Sequence, residues 1–250
     1  MRLVGLGVGP GDPELLTLAG LRELKAASRI FVPVMSSGEE GRSEAVVRAH
    51  LADGAPVERL VFALNDDVRG SQQRRNELWD AAGHIVAEHL RETGGSAVFA
   101  TIGDPTIYST FTYLAATVRR LLPEVEVVLS PGITAMQAAA SAAGLHLVEG
   151  AETLTLVPVT REVTGLRAAL RGGGTVVAYK GGRRLDELRA EIEAAGALDR
   201  SVYAEHLGTQ QARVLPLSEV TELYPPGQVA APYLSTVIVL PPRGGRGEQL

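Results

Sequence analysis

Short apolar segments alternate with helical patterns through the first half of the chain, and this alternation constrains the fold more than any other feature. The segments that read as strands are Leu3–Val8, Ile30–Val34, Val57–Leu64, Ser96–Ile102 and Val125–Leu129. The helical patterns between them are Pro13–Ala26, Asn76–Arg91 and Ile107–Leu122. Because strands separated by helices are joined by crossover connections, the pattern predicts a mostly parallel sheet.

The second half of the chain places its strand signals closer together. Predicted strands are Thr153–Val159, Thr175–Tyr179, Ser201–Glu205, Arg213–Leu217 and Leu234–Leu240, with helices over Thr134–Ala143 and Leu185–Ala195. Because several of these strands are too close for a helix to intervene, we expect a mixed sheet. The sequence therefore predicts two α/β domains, residues 1–132 and 133–245, followed by a flexible tail at 246–250.

The composition argues against several classes of function. The net charge is −5, so we expect no broad attraction to nucleic acid or to an anionic membrane. The chain has no cysteine, which excludes disulfides, thiolate zinc sites and cysteine nucleophiles. Its histidines are scattered, and we expect no metal site. No apolar run approaches the roughly 20 residues of a membrane span, and we expect a soluble, cytoplasmic protein.

Glycine- and proline-rich turns follow three of the predicted strands. They are Gly5–Pro13, Gly103-Asp104-Pro105 and Ser130–Thr134. Glycine lets a ligand approach the backbone closely, and open α/β sheets bind ligands at the carboxyl ends of their strands. The turns therefore predict a ligand cleft. Asp104 also has a plainer interpretation, because aspartate followed by proline is typical of a helix N-terminus.

Familiar nucleotide-binding motifs are absent. Counting G-x-G-x-x-G from Gly7 places the third glycine position on Asp12. The second predicted strand ends in Phe31–Val34 without the acid that would hold a ribose, and neither Lys25 nor Lys180 lies in a P-loop. These absences disfavour a dinucleotide site and the common methyltransferase sheet.

The motifs at these turns resemble the tetrapyrrole methylases, which transfer a methyl group from S-adenosylmethionine to a corrinoid precursor. The matching stretches are Val8–Leu18, Leu60–Phe62, Trp79–Ala82, Gly103–Phe111, Pro131–Thr134 and Tyr233–Val239. Within the family, Tyr108-Ser109-Thr110 is typical of the branch that methylates carbon 20 of precorrin-2. The resemblance extends from Leu3 to about Leu240.

The resemblance implies two α/β domains with the cofactor, S-adenosylmethionine, in the cleft between them, and S-adenosylhomocysteine as the product. Carried over position by position, the cofactor-binding residues are Pro10, Gly103, Asp104, Ile107, Thr134, Ala135, Lys180, Gly208, Thr209, Ser235 and Thr236. Lys180 departs from the family pattern, in which methionine is frequent at that position. A homodimer is also implied, because the resembling enzymes pair.

The chemistry implied by the resemblance needs no protein nucleophile. The sulfonium methyl is already activated, so the enzyme has to align the reacting atoms and exclude water. Asp104 is the candidate for orienting the cofactor, and Tyr108 either contacts the substrate or packs in a helix. The tetrapyrrole carries many carboxylates, for which Arg42, Arg183 and Arg184 are the candidate partners.

Other functions remain open from the sequence alone. A methylase of this family could act on another tetrapyrrole carbon, on a protein or on ribosomal RNA. A non-catalytic nucleotide-binding module is a further alternative, which the three intact turns disfavour. No motif indicates whether the substrate carries cobalt.

Overall fold

Parallel strands form the first sheet, in the order β3-β2-β4-β1-β5. They are β1 (Arg2–Gly7), β2 (Arg29–Val34), β3 (Val57–Val61), β4 (Ser96–Thr101) and β5 (Glu126–Ser130). The central strands β1 and β4 are almost continuously apolar and buried, as expected where helices cover both faces of a parallel sheet. The prediction of a mostly parallel sheet is confirmed.

Helices on each face bury separate apolar clusters of this sheet. They are α1 (Leu18–Ala26), α2 (Arg42–Arg48), α3 (Gln72–Thr93) and α4 (Phe111–Leu121). The cluster that includes α3 and α4 contains the buried strand residues Leu3, Phe31 and Phe99. The cluster that includes α1 and α2 contains Val4 and Leu6 from the other face of β1. The alternation along β1 thus supplies both cores.

The continuous helix predicted over Pro13–Ala26 is wrong. A 3₁₀ turn at Pro13–Leu15 comes first, and the Asp12 carboxylate accepts the Glu14 N–H at 2.9 Å. The α-helix then starts anew because Thr17 Oγ1 accepts the Gly20 N–H at 2.9 Å.

The helix predicted from Ile107 begins instead at Phe111. At Asp104-Pro105 only a turn forms, in which Asp104 Oδ1 accepts the Thr106 N–H at 2.7 Å, because left-handed backbone at Tyr108 interrupts the helical path. Tyr108 has a φ of 50° and lies before the helix, so of its two interpretations the one that packs its ring in a helix is wrong. The Phe111 ring fills the space over Gly5, where a Cβ would lie 2.3 Å from it.

The second sheet is mixed, with the order β6-β7-β10-β8-β9. Its strands are β6 (Leu154–Pro158), β7 (Thr175–Tyr179), β8 (Ser201–Glu205), β9 (Arg213–Pro216) and β10 (Ser235–Val239). β6 pairs with β7 in parallel, whereas β7–β10, β10–β8 and β8–β9 are antiparallel. The predicted mixed sheet is therefore confirmed.

The helices of the second half are α5 (Ala135–Ala143), α6 (Thr164–Leu170), α7 (Leu185–Ala194) and α8 (Val220–Leu223). The short helix α6 was not predicted, and it supplies the crossover that lets β6 and β7 run parallel. α5 and α7 agree with the predicted helices to within one residue at each end. Helix α2 was likewise not predicted, and Arg42 is its first residue.

The computed structural model describes residues 1–62, 72–160 and 162–244. In that part of the chain, two compact units are separated between Thr134 and Ala135, whereas the sequence placed a domain boundary between residues 132 and 133. The end of the predicted strand Val57–Leu64 and the predicted tail at 246–250 lie outside the described residues. A search of the described helices finds none with the length and apolar character needed to cross a membrane.

Candidate functional site

The turns after β1, β4 and β5 meet at the carboxyl edge of the first sheet. Gly7 is in register with Thr101, and Leu6 with Ser130, so the three strands end side by side. Beyond the strands, the Gly9 N–H donates to the Gly103 carbonyl at 3.3 Å and the Gly103 N–H donates to the Gly9 carbonyl at 2.7 Å. This bridge joins the first two turns directly.

Glycine is required where these turns touch. A Cβ on Gly132 would lie 2.2 Å from the Gly103 carbonyl oxygen and 2.7 Å from that of Gly7. Gly103 has a φ of 72°, in the left-handed region that favours glycine, and a Cβ there would enter open space. The backbones of Gly7, Gly103 and Gly132 therefore pack tightly against one another at this edge, while open space remains on the side of Gly103 where a side chain would be.

The Asp104 carboxylate ties the β4 turn to the β5 turn. Its Oδ2 accepts the Gly132 N–H at 2.9 Å, and its Oδ1 accepts the Thr106 N–H at 2.7 Å as well as the Thr106 hydroxyl. Burial raises the pKa of this carboxyl, but the hydrogen bonds outweigh burial and the pKa lies below its usual value. Asp104 is thus an ionised, almost buried cross-link at neutral pH.

The other predicted residues of the first unit lie in or beside these turns. Pro10 and Thr134 are buried, and the Ile107 N–H donates to the Asp104 carbonyl at 3.3 Å. Tyr108 is 40% exposed and left-handed, a conformation that costs a bulky residue about 1–3 kcal/mol. Burial raises the pKa of its phenol, so the hydroxyl is protonated at neutral pH. A strained, exposed aromatic side chain therefore follows the Asp104 turn.

The predicted residues of the second unit gather at one edge of the second sheet. β10 runs antiparallel to both neighbours, so it begins where β7 and β8 end. The Lys180 N–H donates to the Ser235 carbonyl at 3.1 Å, and Thr236 pairs with Tyr179. Gly208 and Thr209 lie in the loop 206–212 that follows β8. The Tyr179 hydroxyl accepts the Met136 N–H at 3.2 Å, which ties the start of α5, where Ala135 lies, to the same end of β7.

The candidate substrate arginines differ in their surroundings. Arg183 is exposed, and its Cζ lies 5.8 Å from the centroid of the Tyr233 ring, which Lys180 Nζ approaches at 5.9 Å. Arg184 donates to Glu187 at 2.6 Å. Arg42 lies in the first unit, and burial lowers the pKa of its guanidinium. Arg183 and Arg184 therefore share an edge with Lys180, whereas Arg42 belongs to a different unit.

Sequence reasoning did not single out Glu44 and Glu205, which are fully buried carboxylates among the described residues. Glu44 is held by Arg48 at 2.8 Å and by Arg59 at 2.6 Å. Glu205 accepts hydrogen bonds from tyrosine hydroxyls and an arginine. The signal that could have found Glu205 is an acid at the end of an apolar strand. Among the residues with described positions, no cluster of histidine and acidic side chains is suited to a metal ion.

Comparisons with known proteins agree on one family. A model described as Tetrapyrrole (Corrin/Porphyrin) Methylases matches residues 2–221. A precorrin-2 C(20)-methyltransferase from a Sinorhizobium species is 32% identical over 242 residues, covering 95% of this chain and 94% of that protein. A cobalt-precorrin-2 C(20)-methyltransferase from Salmonella typhimurium is 27% identical over 242 residues, covering 95% of each.

A solved structure extends this agreement to the fold. Uroporphyrin-III C-methyltransferase from Thermus thermophilus, in complex with S-adenosylhomocysteine, has a TM-score of 0.64 and 25% identity. The match covers 96% of this chain and 97% of that one. The resemblance inferred from the turn motifs is confirmed.

Replacing Gly132 with alanine is expected to destabilise the protein, because the new Cβ would overlap the backbone of the Gly103 and Gly7 turns. We expect a loss of about 1–3 kcal/mol in the free energy of unfolding, measured by urea denaturation. Gly38→Ala is the control: a Cβ there meets nothing within 4 Å, so a change within about 0.5 kcal/mol is expected. Equal stabilities of the two variants would contradict the packing described.

Asp104→Asn is expected to lower the free energy of unfolding by about 1–3 kcal/mol at pH 7, because an amide NH₂ would face the Gly132 N–H or the Thr106 donors. The folded-state pKa of Asp104 is lowered, so the carboxylate stabilises the fold above the unfolded-state pKa of about 3.9 and this contribution is lost as the pH falls through the folded-state pKa. The difference from wild type should therefore be smaller at pH 3 than at pH 7. Exposed Asp53→Asn serves as the control. A difference independent of pH would refute the ionised cross-link.

Proposed function

Since this chain belongs to the tetrapyrrole methylases, we propose that it transfers a methyl group from S-adenosylmethionine to carbon 20 of precorrin-2, or of cobalt-precorrin-2, in cobalamin biosynthesis. The observation that carries the proposal is the alignment over 95% of the chain with relatives named for methylation at that carbon. One relative is named for the metal-free precursor and the other for the cobalt form, so both substrates belong in the test.

We propose that residues at the edge of each sheet contact the methyl donor. At Gly103 the backbone is bare, and open space lies where a side chain would be. We assign cofactor contacts to Pro10, Gly103, Asp104, Ile107 and Thr134 in the first unit. In the second unit the proposed contacts are Ala135, Lys180, Gly208, Thr209, Ser235 and Thr236. The S-adenosylhomocysteine complex of a relative with this fold supports the cofactor.

S-adenosylmethionine, when bound, supplies an activated methyl group, so the protein's part is to bind, orient and exclude water. Asp104 is a poor general base at neutral pH because its pKa is lowered and both carboxylate oxygens accept hydrogen bonds. Its proposed catalytic contribution is to hold the Gly103 turn against the cofactor. Tyr108, whose hydroxyl is protonated and whose ring is partly exposed, is proposed to contact the tetrapyrrole.

An acidic protein has to hold a polycarboxylate substrate through local positive charge. The chain carries a net charge of −5, so its overall field opposes the substrate. Lys180 and Arg183 lie at the same edge beside Tyr233, with Arg184 next in sequence. We assign Arg183 and Arg184, together with Arg42, to the substrate carboxylates. We further propose that the protein is a cytoplasmic homodimer. We also propose that it binds neither nucleic acid nor membranes, because its net charge is negative.

The test of this function is to locate the transferred methyl group. Purified protein is incubated anaerobically with methyl-¹³C S-adenosylmethionine and either precorrin-2 or cobalt-precorrin-2, and the product is analysed by NMR. We expect the label at carbon 20 with at least one of the substrates. Label at a different ring carbon would favour another activity of the family, and absence of label from both products would contradict the proposal.

Changing Arg183 and Arg184 together to alanine is expected to raise KM for the tetrapyrrole about tenfold. Hydrogen bonds to charged groups contribute about 1.5–3 kcal/mol, and about 1.4 kcal/mol corresponds to tenfold. Affinity for S-adenosylhomocysteine should not change, and the wild-type KM should rise with salt.

The matched control is the double change of Arg167 and Arg171 to alanine, which removes the same charge. Arg167 is paired with Glu191 much as Arg184 is with Glu187, and Arg171 is exposed. Arg171 precedes β7, so it lies toward the opposite end of that strand from Lys180. An equal rise in KM for both double variants would indicate a general charge effect and overturn the assignment.

A further inference from the structure

We propose that Glu205 is a positioning residue for methyl-donor binding, and that its buried carboxylate holds the loop 206–212 and the start of β10 in the conformation that binds the donor. The proposal rests on the proposed function, because Gly208, Thr209 and Ser235 are assigned to the cofactor there. Glu205 itself is fully buried, and we propose no direct contact between it and the cofactor.

The buried Glu205 carboxylate accepts hydrogen bonds from separate segments of the second unit. Its Oε2 accepts the Tyr203 hydroxyl at 2.7 Å and the Tyr224 hydroxyl at 2.6 Å, and its Oε1 accepts Arg213 Nη1 at 3.1 Å. Burial, together with these bonds to Glu205, raises the pKa of Tyr224 to about 12 and that of Tyr203 further, so both phenols stay protonated donors. A buried carboxylate without such partners would be costly.

Glu205 closes the base of the loop that carries Gly208 and Thr209. It is the last residue of β8, Arg213 is the first of β9, and the two pair in antiparallel register. The ion pair between their side chains therefore fastens the two ends of the loop 206–212. Inside the loop, the Thr209 N–H and hydroxyl both donate to the His206 carbonyl, at 3.1 and 2.8 Å.

The loop 206–212 contains left-handed backbone, which needs surrounding contacts to hold it. His206 has a φ of 50° and Gly208 a φ of 76°, so left-handed backbone occurs at the residue directly after Glu205. For a residue other than glycine this conformation is unfavourable and persists only where surrounding contacts determine it. The Thr209 hydrogen bonds to the His206 carbonyl act inside the loop, and the ion pair between Glu205 and Arg213 holds its two ends.

The opposite neighbour of Glu205 in the sheet is Ser235, the first residue of β10. The residue whose carboxylate binds Arg213, Tyr203 and Tyr224 therefore pairs through its backbone with the strand start that carries Ser235 and Thr236. Without the Glu205 contacts, the loop 206–212 would populate other conformations. The apparent dissociation constant of the methyl donor would then rise in inverse proportion to the fraction of protein whose loop is in the binding conformation.

The test is calorimetric titration of S-adenosylhomocysteine into Glu205→Gln. Glutamine keeps the shape of the side chain, but its NH₂ group replaces one carboxylate oxygen and cannot accept the hydrogen bonds that the phenols or the Arg213 guanidinium donate to that position. We expect the dissociation constant to rise about tenfold, as it would if the competent loop conformation fell to roughly a tenth of the population. Circular dichroism before each titration verifies that the variant is folded.

The matched control is Glu44→Gln, in the first unit. Glu44 is also fully buried and held by arginines, so this change is expected to lower stability without altering affinity for S-adenosylhomocysteine. A purely structural role for Glu205 predicts that both variants lose stability and both bind as wild type does, which would overturn the proposal. If the wild-type protein bound no S-adenosylhomocysteine, the proposed function itself would fail.

A second pair of variants serves if Glu205→Gln does not fold. Arg213 is about half exposed, so its replacement is tolerated more easily. Arg213→Met removes the donor to Glu205 Oε1 and is expected to weaken binding several-fold, whereas Arg213→Lys retains a positive donor and should restore most of the affinity. Wild-type affinity for Arg213→Met would contradict the fastening of the loop.

Discussion

The close approach of the backbones of Gly7, Gly103 and Gly132 is the constraint on which the first unit depends. A Cβ on Gly7 or Gly132 would overlap the backbone of the neighbouring turns, and the Asp104 carboxylate joins the β4 turn to the β5 turn by hydrogen bonds. The parallel register of β1, β4 and β5 brings the turns together, but the register alone does not fix their conformations. Asp104 links the β4 and β5 turns by accepting a backbone N–H from each, and the hydrogen bonds between Gly9 and Gly103 link the β1 turn to the β4 turn.

Each of the two units has a hydrogen-bonded carboxylate at its proposed ligand-binding edge. In each, a carboxylate that is almost or wholly removed from water accepts hydrogen bonds from segments distant in sequence: Asp104 in the first unit and Glu205 in the second. Each lies next to left-handed backbone, at Gly103 and His206 respectively. Carboxylates suit this purpose, since hydrogen bonds to charged groups are stronger than neutral ones. Methyl transfer from an activated donor requires such fixed geometry more than it requires acid–base chemistry.

Local signals in the sequence predicted much of this architecture. Thr175–Tyr179 and Ser201–Glu205 have the predicted bounds, because an apolar run ending in a turn is read from neighbouring residues alone. The start of α4 was missed because Asp-Pro ordinarily begins a helix, whereas the left-handed backbone at Tyr108 and the bond from the distant Gly132 N–H to Asp104 depend on the fold. Glu205 was missed for the same reason, since its partners Arg213 and Tyr224 are brought to it by the fold.

Hydrogen–deuterium exchange with and without S-adenosylhomocysteine tests most directly whether these two edges bind the methyl donor. Ligand contact and fixed loops both slow amide exchange, because exchange requires local opening. We predict slower exchange on ligand addition in residues 8–12, 102–108 and 131–134 and in residues 206–212 and 233–236, with unchanged exchange in the middle of α3. Protection confined to other segments, or unchanged exchange at these turns under saturating ligand, would contradict the placement of the cofactor.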